Sequence, residues 1–158
     1  LGQGISAACG MALSAKHFKN DFKVFTVLGD GELEEGQVWE AAMFAGNKGL
    51  DNLTAFIDLN NLQIDGTIDE VNSAKPVDKK FEAFNWHTIT IDGHDFEQIE
   101  AALKEAETVN KPVAIIANTV KGKGVSFMEN QVSWHGSAPN DEQYEIAMNE
   151  LKAYKAAL

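Results

Sequence analysis

An aspartate flanked by two glycines follows an apolar segment early in the chain. Asp30 lies in the triplet Gly29-Asp30-Gly31, and the preceding residues 23–28 (KVFTVL) are apolar and β-branched, which predicts a buried strand. Glycines allow a ligand to approach the backbone closely, and a predicted helix over residues 34–47 would offer free N–H groups to an anion. A divalent cation bound together with a diphosphate would use both features. An ordinary turn explains this triplet equally well.

A second polar loop follows the next predicted strand, residues 53–59 (LTAFIDL), and begins at Asn60, thirty positions after Asp30. One strand–helix–strand unit has roughly thirty residues and returns the chain to a neighbouring parallel strand. We therefore expect Asp30 and Asn60 at adjacent strand ends. Carboxylate, amide and carbonyl oxygens suit Mg²⁺, which takes few protein ligands and completes its octahedron with phosphate oxygens and water. The two loops together predict a site for Mg²⁺ and a diphosphate.

The elements that would position these loops alternate along the chain. Predicted strands occupy residues 23–28, 53–59, 86–91 and 112–119. Predicted helices occupy residues 5–18, 34–47, 77–84 and 96–109, with a last helix from Asn140 or Asp141 to the end. This alternation predicts an α/β fold: a doubly wound, mostly parallel sheet with helices on both faces. Such sheets bind ligands beyond the carboxyl ends of their strands. Neither a repeat nor a linker interrupts the pattern, which predicts one domain over residues 1–158.

Composition limits the classes of function. The 158 residues carry 24 acidic and 13 basic side chains, a net charge of −11, which argues against nucleic acid as a partner because its phosphates require clustered Lys and Arg. No apolar run is long enough to span a bilayer, so we expect no membrane contact. The single cysteine, Cys9, excludes an intramolecular disulfide and favours a cytoplasmic location. Because the chain starts without Met, we expect it to be part of a longer protein.

Three longer strings resemble transketolases. They are Leu1–Ser6 (LGQGIS), Gly29–Gly46 (GDGELEEGQVWEAAMFAG) and Trp134–Pro139 (WHGSAP). The pair of Asp30 and Asn60 by itself resembles the metal-binding pattern of thiamine-diphosphate enzymes, and the strings narrow the resemblance to transketolases or their close relatives. The resemblance covers nearly the whole chain. It implies the N-terminal, diphosphate-binding domain or subunit of such an enzyme, with the thiamine-diphosphate-binding fold.

The resemblance also implies which residues hold the cofactor. The ligands of Mg²⁺ would be the side chains of Asp30 and Asn60 and the backbone carbonyl of Leu62. The residues in contact with thiamine diphosphate would be Leu1, Gly29, Gly31, Asn60 and Lys121. From the sequence alone, the Lys-Gly-Lys-Gly segment that begins at Lys121 is explained equally by a solvated, flexible loop.

Three further residues receive catalytic roles from the resemblance. His135 would face the diphosphate and the reacting end of the substrate, and a histidine can move protons near neutral pH. Glu35 and Glu40 would lie near the subunit interface, where they would couple paired sites. A surface position without a function explains His135 about as well. The histidines that match no role of the family, and are expected to be structural, are His87 and His94.

Transketolases move a two-carbon ketol unit from a ketose phosphate to an aldose phosphate, a reaction of the pentose phosphate pathway. The resemblance implies sugar phosphates as substrates and a homodimer or heterotetramer. In the family, the glutamate that activates the cofactor belongs to a pyrimidine-binding domain or subunit, and no counterpart follows His135. Histidines of the family also precede the position of Leu1. We therefore expect these residues alone to be inactive.

Two alternatives remain beside a transketolase, and a third is excluded. Deoxyxylulose phosphate synthases share the metal pattern and a similar lysine-glycine loop, although the segments Trp39–Ala42 and His135–Ser137 favour a transketolase. A non-catalytic domain that binds the cofactor only for assembly is a second alternative, against which intact Asp30, Asn60 and His135 argue. A nicotinamide-binding fold is excluded because no G-x-G-x-x-G follows the first clear strand.

Overall fold

A computed structural model describes residues 1–157 of the chain. The α-helices are α1 (Gln3–Phe18), α2 (Gly36–Lys48), α3 (Ile68–Val71), α4 (Val77–Ala83), α5 (Phe96–Ala106) and α6 (Asp141–Ala157). The strands are β1 (Val24–Gly29), β2 (Leu53–Leu59), β3 (Leu62–Gln63), β4 (Gly66–Thr67), β5 (His87–Asp92) and β6 (Val113–Asn118). Among the described residues, no helix combines the length and the apolar character needed to cross a membrane.

A parallel sheet organises the fold. Within residues 1–157 it consists of four strands in the order β1-β2-β6-β5, while β3 and β4 form a separate short antiparallel pair. Gly29 at the end of β1 lies beside Asp58 of β2, and Leu59 of β2 lies beside Asn118 of β6. The carboxyl ends therefore meet at one edge. This arrangement confirms the predicted α/β sheet and brings the loops after β1, β2 and β6 together.

Helices pack on both faces of the sheet. Helices α1, α2 and α4 cover one face and bury apolar side chains such as Ile5, Val38 and Phe81 against β1, β2 and β6. Helix α5 covers the other face over β5 and β6. That second face is bare over β1, where Phe25 and Val27 are 56% and 71% exposed. The sheet is thus covered on both sides at its centre but on one side at the β1 edge.

The boundaries of several elements differ from the prediction for local reasons. Residues Gly31–Glu34 form a 3-10 turn capped by the side chain of Asp30, so α2 begins only at Gly36. The polar loop after β2 contains the short pair β3 and β4, which the sequence did not predict. Of the two candidate caps of the last helix, Asn140 is the one used: its Oδ1 accepts from the backbone N–H of Gln143 at 2.9 Å, and Gln143 Oε1 accepts from the Asn140 N–H at 2.9 Å.

Candidate active site

A cavity of about 410 Å³ opens at the carboxyl edge of β1 and β2. The predicted site residues that line it are Leu1, Gly29, Asp30, Gly31, Asn60, Leu62, Lys121 and His135. Lining residues that the sequence did not single out for the site are Glu32, Asp58, Gln63, Ile64 and Asp65. Glu35 and Glu40 are not among the lining residues, and both are exposed. The structure therefore brings the predicted metal and cofactor residues together with His135, and leaves the two glutamates outside.

Asp30 is the buried acid of this cavity, with 2% of its surface exposed. Its Oδ1 accepts a hydrogen bond from the backbone N–H of Gly31 at 2.8 Å, and its Oδ2 accepts one from the backbone N–H of Asn61. Burial raises the pKa of the Asp30 carboxyl above its usual value, and the neighbouring charge of Asp58 raises it further; the N–H groups of Asn61 and Gly31 oppose this shift. A divalent cation would offset both unfavourable effects.

The loop after β2 is bent toward Asp30. Asn61 has a left-handed backbone with φ of 64°, which asparagine tolerates better than most residues. The Asn60 side-chain oxygen accepts from the backbone N–H of Leu62 at 3.1 Å. The carbonyl oxygen of Asn61 accepts from the N–H of Ile68 at 3.1 Å. These bonds fix the loop that carries the second and third predicted metal ligands, and the Asn61 N–H joins it to Asp30.

Glu32 connects the start of the chain to the end of β1. Its Oε1 accepts from the Gly2 N–H at 2.7 Å, and its Oε2 accepts from the Gly29 N–H at 3.2 Å. Gly2 has a φ of 74°, and a Cβ there would lie 2.9 Å from Glu35 Cβ. Leu1 is held beside the cavity by this contact. No sequence pattern indicated it, because Glu32 and Gly2 are far apart along the chain.

Internal hydrogen bonds hold the loop between Lys121 and His135 in a defined shape. The Lys121 carbonyl oxygen accepts from the Asn130 N–H at 2.9 Å, and the Trp134 indole donates to the Phe127 carbonyl oxygen at 2.9 Å. Gly122 has a φ of 75°, and a Cβ there would lie 2.6 Å from the Met128 carbonyl oxygen. The loop is therefore built to a fixed shape, and it places one cation and one imidazole at the cavity.

The donors around the cavity fit a cation that arrives with a phosphate-bearing ligand. Among residues 1–157, no three or more His, Cys, Asp or Glu side chains cluster closely enough to hold a metal ion by themselves. Mg²⁺ commonly takes one or two carboxylates and draws its other ligands from phosphate and water. A buried carboxylate in Asp30, an amide in Asn60 and a cation in Lys121 at one cavity match that requirement.

Comparisons with known proteins identify what this chain is similar to. Residues 1–155 match the family model described as transketolase, thiamine diphosphate binding domain. The chain is 46% identical over 155 residues to the 6-deoxy-6-sulfo-D-fructose transketolase subunit SqwG of Clostridium sp. (strain MSTE9), with 96% of this chain and 56% of that protein covered. It is 43% identical over 152 residues to an apulose-4-phosphate transketolase subunit of Phocaeicola vulgatus, with 96% and 54% covered.

Longer proteins show the same similarity. The chain is 48% identical over 155 residues to the transketolase of Mus musculus, covering 96% of this chain and 24% of that one. The crystal structure of the transketolase from Campylobacter jejuni superposes with a TM-score of 0.92 at 34% identity, covering 96% of this chain and 25% of that one. The chain spans about half the length of the two bacterial subunits and about a quarter of these longer transketolases.

Proposed function

The chain belongs to the transketolase family, as its thiamine diphosphate binding domain, and we propose that it anchors Mg²⁺ and the diphosphate of that cofactor in a ketol transferase. The observation that carries the proposal is the meeting of Asp30, Asn60, Lys121 and His135 at one cavity. These residues follow three different strands or lie in a long loop. Their convergence beyond the carboxyl ends of the strands, where such sheets bind ligands, supports a shared role in binding.

Each residue has a role that its chemistry supports. Thiamine diphosphate would supply the carbon nucleophile and store the electron pair released from the substrate. The side chains of Asp30 and Asn60 and the carbonyl oxygen of Leu62 would bind Mg²⁺. Lys121 would neutralise charge on the diphosphate.

His135 would act on the substrate rather than on the metal. It is exposed at the cavity, so a substrate that entered from solvent would meet it. A neutral imidazole can take a proton from a substrate hydroxyl, and an imidazolium can return one to a substrate oxygen. We propose that His135 moves a proton at the reacting end of a sugar phosphate.

The proposed enzyme is complete only with a pyrimidine-binding domain or subunit. Two relatives that the chain matches over about half their length are themselves named as subunits, which supports assembly with a second component. Glu35 and Glu40 are exposed, as residues at a subunit interface would be before assembly. We propose that they couple paired sites in a homodimer or heterotetramer.

Calorimetry tests cofactor binding. The full chain, with and without a pyrimidine-binding subunit from one of these relatives, would be titrated with thiamine diphosphate in Mg²⁺ or in EDTA. We expect saturable binding in Mg²⁺ that EDTA abolishes and that N60A weakens about tenfold, the value of one lost charge-assisted contact. N47A is the matched control, since Asn47 is exposed on α2 and does not line the cavity. Binding that ignores both EDTA and N60A would overturn the proposal.

A substrate panel then separates the reactions. The assembled complex would receive ketose and aldose phosphates, then 6-deoxy-6-sulfo-D-fructose as an alternative donor, and finally pyruvate with glyceraldehyde phosphate. Ketol transfer supports a transketolase, whereas consumption of pyruvate indicates a deoxyxylulose phosphate synthase. Cofactor binding without turnover of any pair indicates an assembly domain.

A further inference from the structure

The turn between β5 and α5 lies against the segment that leads to Lys121. His94 Nε2 accepts a hydrogen bond from the backbone N–H of Val120 at 2.8 Å, and Val120 directly precedes Lys121. The Gly93 N–H donates to the Asn118 carbonyl oxygen at 2.8 Å. Two consecutive residues of the turn therefore hold the chain as it leaves β6.

Gly93 allows this close approach. A Cβ at this position would lie 2.5 Å from Thr119 Cγ2 and 3.2 Å from the Asn118 carbonyl oxygen. The His94 N–H donates to Asp92 Oδ1 at 2.9 Å, so the backbone before the imidazole is fixed as well. The shape of this turn places the His94 imidazole within hydrogen-bonding distance of the Val120 N–H.

The hydrogen bond defines the state of the imidazole. A backbone N–H can only donate, so Nε2 of His94 must carry a lone pair, and a neutral ring then has its proton on Nδ1. His94 is exposed, and water could satisfy the Val120 N–H if the ring were absent. The histidine is therefore not needed to satisfy that amide; what it adds is a fixed position for the amide.

The same segment is also held on the cavity side. The Thr119 hydroxyl donates to Asp58 Oδ1, and Asp58 lines the cavity. The next residue along, Val120, is the one that His94 holds. The two residues directly before Lys121 are therefore each held by a hydrogen bond, Thr119 to Asp58 and Val120 to His94.

We propose, resting on the proposed function, that His94 is a positioning residue for diphosphate binding: through the Val120 N–H it fixes the backbone from which Lys121 reaches the cavity. Without this bond, the start of the loop samples more positions, and ordering Lys121 on the diphosphate costs more conformational entropy. His94 does not line the cavity, so its effect on binding passes through Lys121.

Calorimetry on the full chain with thiamine diphosphate and Mg²⁺ tests this role, with the pyrimidine-binding subunit present if the chain alone binds weakly. We expect H94A to weaken binding about three- to tenfold, the range for one lost hydrogen bond. H94Q should restore it, because the side-chain oxygen of glutamine can accept from the same N–H. In a K121A background, H94A should add less than about twofold, since the two effects share one path.

The matched control is H87A. His87 Nε2 lies 2.6 Å from Glu105 Oε1 at the amino end of β5, whereas His94 follows the carboxyl end of that strand. Loss of the His87 side chain should therefore leave the affinity for thiamine diphosphate unchanged. Amide hydrogen exchange adds a readout that needs no cofactor: the Val120 amide should be protected in the wild type and in H94Q, and unprotected in H94A.

The outcomes separate this inference from the proposed function. A wild-type chain that binds no thiamine diphosphate, even with a partner, overturns both. Wild-type binding that H94A leaves unchanged, or that H94A weakens equally with and without Lys121, overturns the positioning role alone. If H94A does not fold, rapid exchange of the Val120 amide in the wild type, or full loss of binding in H94Q, overturns it instead.

Discussion

Asp30 and Lys121 line the same cavity and carry opposite charges. Asp30 follows β1, whereas Lys121 lies in the loop after β6. Asp30 is buried, and nearby negative charge raises its pKa further. Lys121 is half-buried and comes from a loop of fixed shape. We propose that a diphosphate and a metal ion lie between these charges, where the attraction between opposite charges offsets part of the cost of removing them from water.

Two lysines of one motif give a matched test at this scale. Lys121 lines the cavity, whereas Lys123 does not. The Nζ atom of Lys123 lies 4.0 Å from Glu129 Oε1. We expect K121A to weaken binding of thiamine diphosphate with Mg²⁺ about tenfold or more, because a charge-assisted contact is lost, and K123A to leave it unchanged. Calorimetry measures both, and equal effects of the two variants would contradict the assignment of Lys121.

Cys9 provides a prediction about pH. Burial raises the pKa of its thiol from 9.0 to about 11, so the folded state disfavours the thiolate. This stabilising effect is complete below pH 9.0 and is lost as the pH rises toward 11. Relative to C9A, the wild type should lose about 2 kcal/mol of unfolding free energy across this window. Urea unfolding at pH 8 and pH 10.5 measures the difference; parallel pH dependence of the two proteins would exclude a buried thiol.

At the scale of elements, α2 is the helix that joins the site to the core. It begins just after the 3-10 turn that Asp30 caps. Near its other end, Gly46 lies so close to the turn before β5 that a Cβ there would be 1.7 Å from the Phe84 carbonyl oxygen. The indole N–H of Trp86 donates to the Ala42 carbonyl oxygen at 2.8 Å. The position of α2, and with it the loop at the site, depends on this contact.

A pair of glycine substitutions tests that contact. We expect G46A to reduce the free energy of unfolding by at least about 3 kcal/mol, because the added methyl overlaps backbone that cannot give way. G10A is the control, because Gly10 is exposed within α1 and a Cβ added there would meet no other part of the chain within 4 Å. Alanine at this position should therefore stabilise the chain by about 1 kcal/mol. Denaturant unfolding reports both, and a tolerated G46A would show that α2 packs elsewhere.

Local patterns predicted the elements well and the contacts between them less well. The strand at Leu53–Leu59 was predicted to the residue, because its nearly continuous apolar run is typical of strands covered on both faces. The start of α2 was placed too early, because propensity does not distinguish a 3-10 turn from the first turn of a helix. The alternation of strands and helices also predicted that Asp30 and Asn60 lie at the same edge of the sheet, and both line the cavity there. The bonds of Glu32 and His94 join distant segments, so no local pattern could predict them.

At the scale of the whole molecule, the chain matches one domain of longer relatives. The family assignment rests on a match over residues 1–155, yet the chain spans about half of the subunits it resembles. The face of β1 with Phe25 and Val27 is uncovered. We propose that the reaction needs at least one further domain, and the expected cytoplasmic location stays a prediction.

Activity should depend on that further domain. We expect the isolated chain, saturated with Mg²⁺ and thiamine diphosphate, to give no ketol transfer, because the resemblance implies that the glutamate that activates the cofactor belongs to a pyrimidine-binding domain or subunit. Adding a purified pyrimidine-binding subunit should produce transfer between a ketose and an aldose phosphate, followed by a coupled spectrophotometric assay. Turnover by the isolated chain would show that the activating group is within these residues.

If Asp30 and Asn60 bind one divalent ion together with a diphosphate, Mn²⁺ in place of Mg²⁺ should report their position. In nuclear magnetic resonance spectra of the ¹⁵N-labelled chain, with its unlabelled partner if binding requires one, Mn²⁺ with thiamine diphosphate should broaden the amide signals of Gly31, Asn61 and Leu62 first. Omitting the cofactor, or introducing N60A, should reduce that broadening. Broadening centred on other residues, or the same broadening in N60A, would show that Asp30 and Asn60 do not bind the ion together.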